Sequence, residues 1–366
     1  MKKRWCVLIC VICALVVASS NVLATNADLS ETPKIDVETP NELSEFPFDF
    51  DEMDAVEIQN AFDFRFFSEI GVRILVEAVP EAARSFALLL GLFLVSSLLH
   101  AVKGTLAVPT LQTAMDLVGM LCMAAAIFEV TETAFGFAES YIRTVSDFLK
   151  GVTPTMAAFV AASGKFSTAS VISGVIMLAV SLLENVASGV LFPLIRLSLC
   201  LSVVSAIFGI TGVGGISPYI RKIISYIFGF VTLCLSAVLM FQNMIAKSTD
   251  SMAMRGIKFA VGNFIPFVGG AVNEALSTVI GGLGTIKAAT GVVGAVIVAL
   301  LAAVPVIRIL LYKMFLELLS FMAGLLGLGN ETRLMAEISS FLGYTAAIMA
   351  ISAVFFVLAL SMMASA

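Results

Sequence analysis

The chain of 366 residues is 60% hydrophobic and 13% charged, with a mean hydropathy of +1.05, whereas soluble domains carry roughly 25% charged residues. A soluble globular class is excluded, and the chain reads as an integral membrane protein of the all-α class. The net charge of −5 belongs to one segment, because 11 of the 26 carboxylates fall between Asp28 and Glu57 with Lys34 as the sole base; no basic surface is left for a nucleic-acid partner.

Residues 1–24 read as a signal peptide, with Lys2, Lys3 and Arg4 ahead of an apolar stretch and Val22-Leu23-Ala24 as a small-residue cleavage site. Cleavage there places the new N-terminus outside the cytoplasm; an uncleaved first anchor is the alternative. Residues 25–57 form an acidic linker with too few large apolar side chains to build a core. Residues 58–84 mix Phe62, Phe66, Ile70 and Leu75 with Asp63, Glu69, Arg73 and Glu77 at helical spacing, which predicts an amphipathic surface helix. A first transmembrane hairpin follows at 85–140. Its spans are expected near Ser85–Leu99 and Leu117–Val130, with Lys103 marking the cytoplasmic side and Glu129, Glu132 and Glu139 an acidic outer turn.

Beyond residue 140 the sequence repeats. Arg143, Arg196 and Arg221 recur 112 residues later as Arg255, Arg308 and Arg333, and no other arginine lies in either stretch. Pro154 and Pro193 recur as Pro266 and Pro305, so Pro-x-Ile-Arg stands at both 193–196 and 305–308. Agreement in rare residues within an apolar chain predicts a tandem duplication, 141–252 and 253–366. Each unit opens with a proline-interrupted segment that fits a broken or re-entrant helix, then continues with three spans, the first two separated at a Pro-x-Ile-Arg corner. Three is odd, so non-crossing opening segments make the units an inverted repeat with eight spans in all. Crossing segments make them parallel, with about ten.

Charges inside a bilayer need partners or water. The candidates are Asp116, Glu129, Glu184, Arg196, Glu274, Arg308, Lys313 and Glu317. The arginines recur and the acids do not, which assigns Pro193, Arg196, Pro305 and Arg308 to structural corners and leaves functional asymmetry to the acids. Asn273, Glu274, Ser277 and Thr278 form the most polar cluster in the glycine-dense run at 267–284, and with Glu184 and Glu317 they are the candidate pore-lining or buried polar residues. No catalytic triad can be assembled from a single histidine, His100, and no metal-ligand spacing or nucleotide-binding loop is present. The chain is read as a non-enzyme without catalytic residues, metal or cofactor. The three cysteines beyond the signal peptide, Cys122, Cys200 and Cys234, lie in apolar segments and define no disulfide framework.

The stretch KSTDSMAMRGIKFAVGNFIPFVGGAVNEALSTVIGGLGTIKAATG at 247–291, followed by IRILLYKMFLELL at 307–319, resembles the stage III sporulation protein AE family of endospore-forming bacteria. The resemblance implies a multi-pass subunit of the mother-cell membrane complex that meets a forespore membrane protein to form a feeding-tube-like channel, with the other membrane proteins of that complex as partners. It supplies no catalytic residue. The role expected first is a permease-like channel core, with polar residues converging on the bundle axis; the alternative is a non-conducting scaffold, with a sealed apolar axis. A stand-alone small-molecule transporter is a third possibility.

Overall fold

The computed structural model describes residues 64–103, 109–208, 217–237 and 269–365. The expected signal peptide, the acidic linker, Arg255 and Pro266 lie outside the described residues. Every element described is helical: α1 (Phe64–Lys103), α2 (Pro109–Ala162), α3 (Phe166–Val186, a π-helical turn at Ala187–Leu191, then Phe192–Phe208), α4 (Ser217–Ala237), α5 (Gly269–Leu325) and α6 (Gly329–Ser365). All six are long and apolar enough to cross a membrane. Helices suit such a sequence because a bilayer offers no water to satisfy backbone polar groups, so each segment must bond its own.

Among the described residues there are six helices where eight or ten spans are expected of the whole chain, and within those residues the cause is local. Three places expected to interrupt the chain do not. Glu129, Glu132 and Glu139 sit inside α2, which runs 54 residues and continues through Pro154. Pro305 lies within the 57 residues of α5. Pro193 follows directly on the π-helical turn of α3. Proline removes one donor and crowds the preceding turn, and in α3 the widened turn takes up that misfit without reversing the chain. Each expected Pro-x-Ile-Arg corner is therefore mid-helix. Likewise α1 is unbroken across residues 84 and 85, so the expected surface helix and the first span are one element.

Merging these spans also decides direction. Along α2, Glu139 pairs with Arg196 and Lys150 with Glu184, so rising numbers in α2 meet falling numbers in α3. The same holds against α5, where Phe137 meets Arg308, Phe148 approaches Gly294 and Met156 approaches Gly291. Both α3 and α5 thus run antiparallel to α2 and parallel to each other. Among the described residues this direction differs from the inverted arrangement expected from three spans per unit, because one long helix stands where two spans are expected.

Two of the reversals rest on glycine. Gly164, between α2 and α3, has φ 84°, and Gly327, between α5 and α6, has φ 75°. In both turns a following amide bonds back five residues, Lys165 N to the Val160 carbonyl and Leu328 N to the Ala323 carbonyl, closing the helix end through a left-handed residue that favours glycine. The core lies where α2, α5 and α6 meet: Ile127, Phe135, Ile142, Leu149, Met349 and Phe356 are fully buried. α5 and α6 approach most closely at Gly291, where an added Cβ would stand 2.4 Å from the Ala364 Cβ.

Candidate functional site

Charged side chains gather at the middle of α2. Glu132 and Glu139 are two helical turns apart and so share a face, and both reach Arg196 of α3: the guanidinium donates to Glu139 Oε1 at 2.7 Å and to Glu132 Oε2 at 3.3 Å. The same guanidinium lies 5.6 Å from the centre of the Phe135 ring, which sits between the two acids on that face. Charge-assisted bonds of this kind are stronger than neutral ones, and the aromatic face adds a further attraction for the cation.

Arg308 of α5 meets the other side of α2. Its guanidinium lies 5.2 Å from the Phe137 ring centre, and residues 135 and 137 point roughly 200° apart on a helix. The two matched arginines therefore bracket α2 at one level. Their partners are unlike. The only carboxylate paired with Arg308 among the described residues is Glu81 of α1, at 3.9 Å, beyond hydrogen-bond reach. The buried Nε of Arg308 has no hydrogen-bond partner among the described residues. A cavity of about 200 Å³ opens beside it, lined on its polar side by Arg73, Glu77, Ser140, Tyr141 and Thr144.

About three helical turns further along α2, Lys150 pairs with Glu184 of α3 at 2.7 Å, with Asp147 at 3.6 Å from the same ammonium. Towards the other end of the bundle, Lys313 donates to Glu317 one turn along α5, and Ser339 of α6 donates to the same Glu317 oxygen at 3.1 Å. This cluster borders an open cleft of about 750 Å³ between α5 and α6, with Ser320, Thr332 and Tyr344 on its walls among mostly apolar neighbours. Lys313 lies close to Gly343, where an added Cβ would be 3.1 Å from its Cε.

The structure thus joins Arg196, Arg308, Glu184 and Glu317 to charged partners. Pro193 and Pro305 stand three residues before the two arginines on the same helices. Asn273, Glu274, Ser277 and Thr278 occupy the first turns of α5, and their side chains lie outside the described residues. Arg221 stacks on Phe341 at 5.4 Å and Arg333 pairs with Glu337 at 3.4 Å, so these matched residues also diverge in partner. The sequence reading does not single out Glu81 or the two phenylalanines, and it takes Glu132 and Glu139 only as part of an acidic turn. The seven-residue spacing of Glu132 and Glu139 was the available signal, and it was masked by reading 129–139 as a turn.

A bundle of six long apolar helices whose charges neutralise one another between helices defines a polytopic membrane protein. Over residues 51–366 the sequence matches the family of Stage III sporulation protein AE (spore_III_AE), and the chain belongs to that family. It is similar to the Stage III sporulation protein AE of Bacillus subtilis (strain 168), with 30% identity over 234 residues, which cover 64% of this chain and 58% of that protein. No solved structure matches the chain.

Proposed function

We propose that this protein is an integral membrane subunit of a sporulation-specific channel complex linking mother cell and forespore, and that the six-helix bundle serves that complex as a non-conducting scaffold. The observation that carries this reading is the closed interface of α2, α5 and α6. Ile142, Leu149, Met349 and Phe356 fill it without exposure, and the Tyr141 hydroxyl that reaches into it is taken up by the Met349 carbonyl of α6 at 3.4 Å. Interiors packed in this way leave little room for water. In this role the bundle engages the other membrane proteins of the complex and, through them, a protein of the forespore membrane; it carries out no catalytic step. The reading rests on the family and on packing.

A permease-like core is the second reading, favoured by Lys313, Glu317 and Ser339 beside the α5–α6 cleft and by the polar residues Asn273 to Thr278 at the start of α5. The two readings part on charge. Spore yield of a strain carrying Lys313→Met with Glu317→Gln, and of one carrying Glu274→Gln, tests them at matched protein levels. The scaffold reading expects near-normal yields, since an apolar or neutral replacement of a pair is often tolerated. Loss of spores with the complex still assembled contradicts it and supports conduction.

A further inference from the structure

Arg196 of α3 and Arg308 of α5 meet α2 at matched positions, yet one guanidinium is closed by carboxylates and the other borders a cavity, with Glu81 at 3.9 Å. Glu132 and Glu139 accept from Arg196 directly. On the Arg308 side α2 presents Ser140 and Thr144 to the cavity. A buried guanidinium N–H without an acceptor is costly, since a desolvated donor forfeits its bond to water. Among the described residues Arg308 thus has no carboxylate within hydrogen-bond reach, where its mate has two.

We infer that the cleft between α1, α2 and α5 binds a phosphate oxyanion between Arg308 and Arg73, presented by the headgroup of a phospholipid. Guanidinium groups match phosphate oxygens in geometry as well as charge. Arg73 has Nε committed to Glu77 at 3.2 Å, which leaves its terminal nitrogens for a ligand. Ser140 and Thr144 supply hydroxyls on the facing wall. Glu77 and Glu81 bring the charge of the cleft's own side chains near neutral and disfavour a highly charged anion, so a phosphodiester with one negative charge fits better than a phosphomonoester. The source is indicated by what flanks the cleft. Val72, Val76 and Val79 of α1 are exposed beside Arg73 and Glu77, an apolar strip on which acyl chains can lie while the headgroup enters the cavity. Free phosphate shares the oxyanion chemistry but has no use for that strip.

The test uses the full chain in detergent and native mass spectrometry, with phosphatidylglycerol, diacylglycerol of the same acyl chains and inorganic phosphate as probes. Phosphatidylglycerol is expected to be retained and diacylglycerol not. Arg308→Gln should weaken retention about 10- to 100-fold, the worth of a charge-assisted contact. Ser140→Glu, which supplies Arg308 with the missing acceptor and leaves the guanidinium in place, should do the same while keeping the protein folded. Competition by millimolar phosphate alone would keep the oxyanion site and assign it to a free ligand. Equal retention of phosphatidylglycerol and diacylglycerol, or retention unchanged in both Arg308→Gln and Ser140→Glu, overturns the proposal.

Discussion

α3 and α5 carry the same Pro-x-Ile-Arg sequence, run in the same direction and press their arginines onto α2, but they differ in almost everything around it. α3 widens into a π-helical turn ahead of Pro193, whereas α5 passes through Pro305 as a regular helix. Both arginines lie over a phenylalanine ring of α2, but Arg196 is met by two carboxylates within hydrogen-bond reach and Arg308 by Glu81 at 3.9 Å and a cavity. At the 112-residue offset Ala179 of α3 stands where α5 has Gly291, and the glycine is pressed against the backbone of α6 at Ala364. Matched sequence therefore fixes what a helix can do alone, and the neighbours decide what each copy becomes. α5 is a central helix with residues 291–298 buried all round, while α3 keeps an exposed face at Val171, Leu178 and Leu182.

This contrast can be broken most sharply at the glycine. Gly291→Leu should prevent the close approach of α5 to α6 and cost at least about 3 kcal/mol, the upper range for overpacking. The matched Ala179→Gly should cost only about 1 kcal/mol through helix propensity, and thermal unfolding of the purified variants in detergent compares them. Equal losses would show that the two helices are packed alike. A smaller difference is expected at the arginines. Arg196→Ala strands Glu132 and Glu139 and should cost about 1–2 kcal/mol, between exposed and buried ion pairs, while Arg308→Ala should cost less than about 1. A double-mutant cycle should give a coupling of about 1 kcal/mol for Arg196 with Glu139 and about zero for Arg308 with Glu81; the reverse order would refute the assignment of partners. The smallest effects belong to glycines with room beside them. Gly174→Ala on α3 meets nothing within 4 Å and should be neutral or stabilising by up to about 1 kcal/mol, and Gly343→Ala displaces only the flexible end of Lys313 for about 0.5 kcal/mol or less. A large loss at Gly174 would mean that α3 is covered on that face.

The membrane class and the all-helical fold were legible from composition alone, because a chain this apolar has few other ways to satisfy its backbone. The matched arginines and prolines were equally plain. They do not act as corners, since proline breaks a helix only where it cannot be accommodated; α3 widens ahead of Pro193, and α5 continues through Pro305 as one helix. From reading them as corners came the surplus of spans and the inverted orientation. The acids of α2 were visible but misassigned, because a carboxylate in an apolar segment marks a boundary unless a cation from another helix is known to meet it. That cation comes from 57 residues away in the case of Glu139, a distance over which periodicity carries no information. The cavity beside Arg308 could not be anticipated at all, for it depends on Ser140 and Thr144 standing where acids serve the other arginine.

The parallel course of α3 and α5 is the point on which the account turns, and the side of the membrane reached by their ends tests it most directly. Single cysteines introduced at Phe166 and Gly282, both exposed near the starts of these helices, and at Leu326 beyond the end of α5, can be labelled in cells by a membrane-impermeant maleimide. A parallel pair predicts that Phe166→Cys and Gly282→Cys behave alike and that Leu326→Cys behaves oppositely. Labelling of Phe166→Cys and Gly282→Cys from opposite sides would contradict it and restore the inverted repeat.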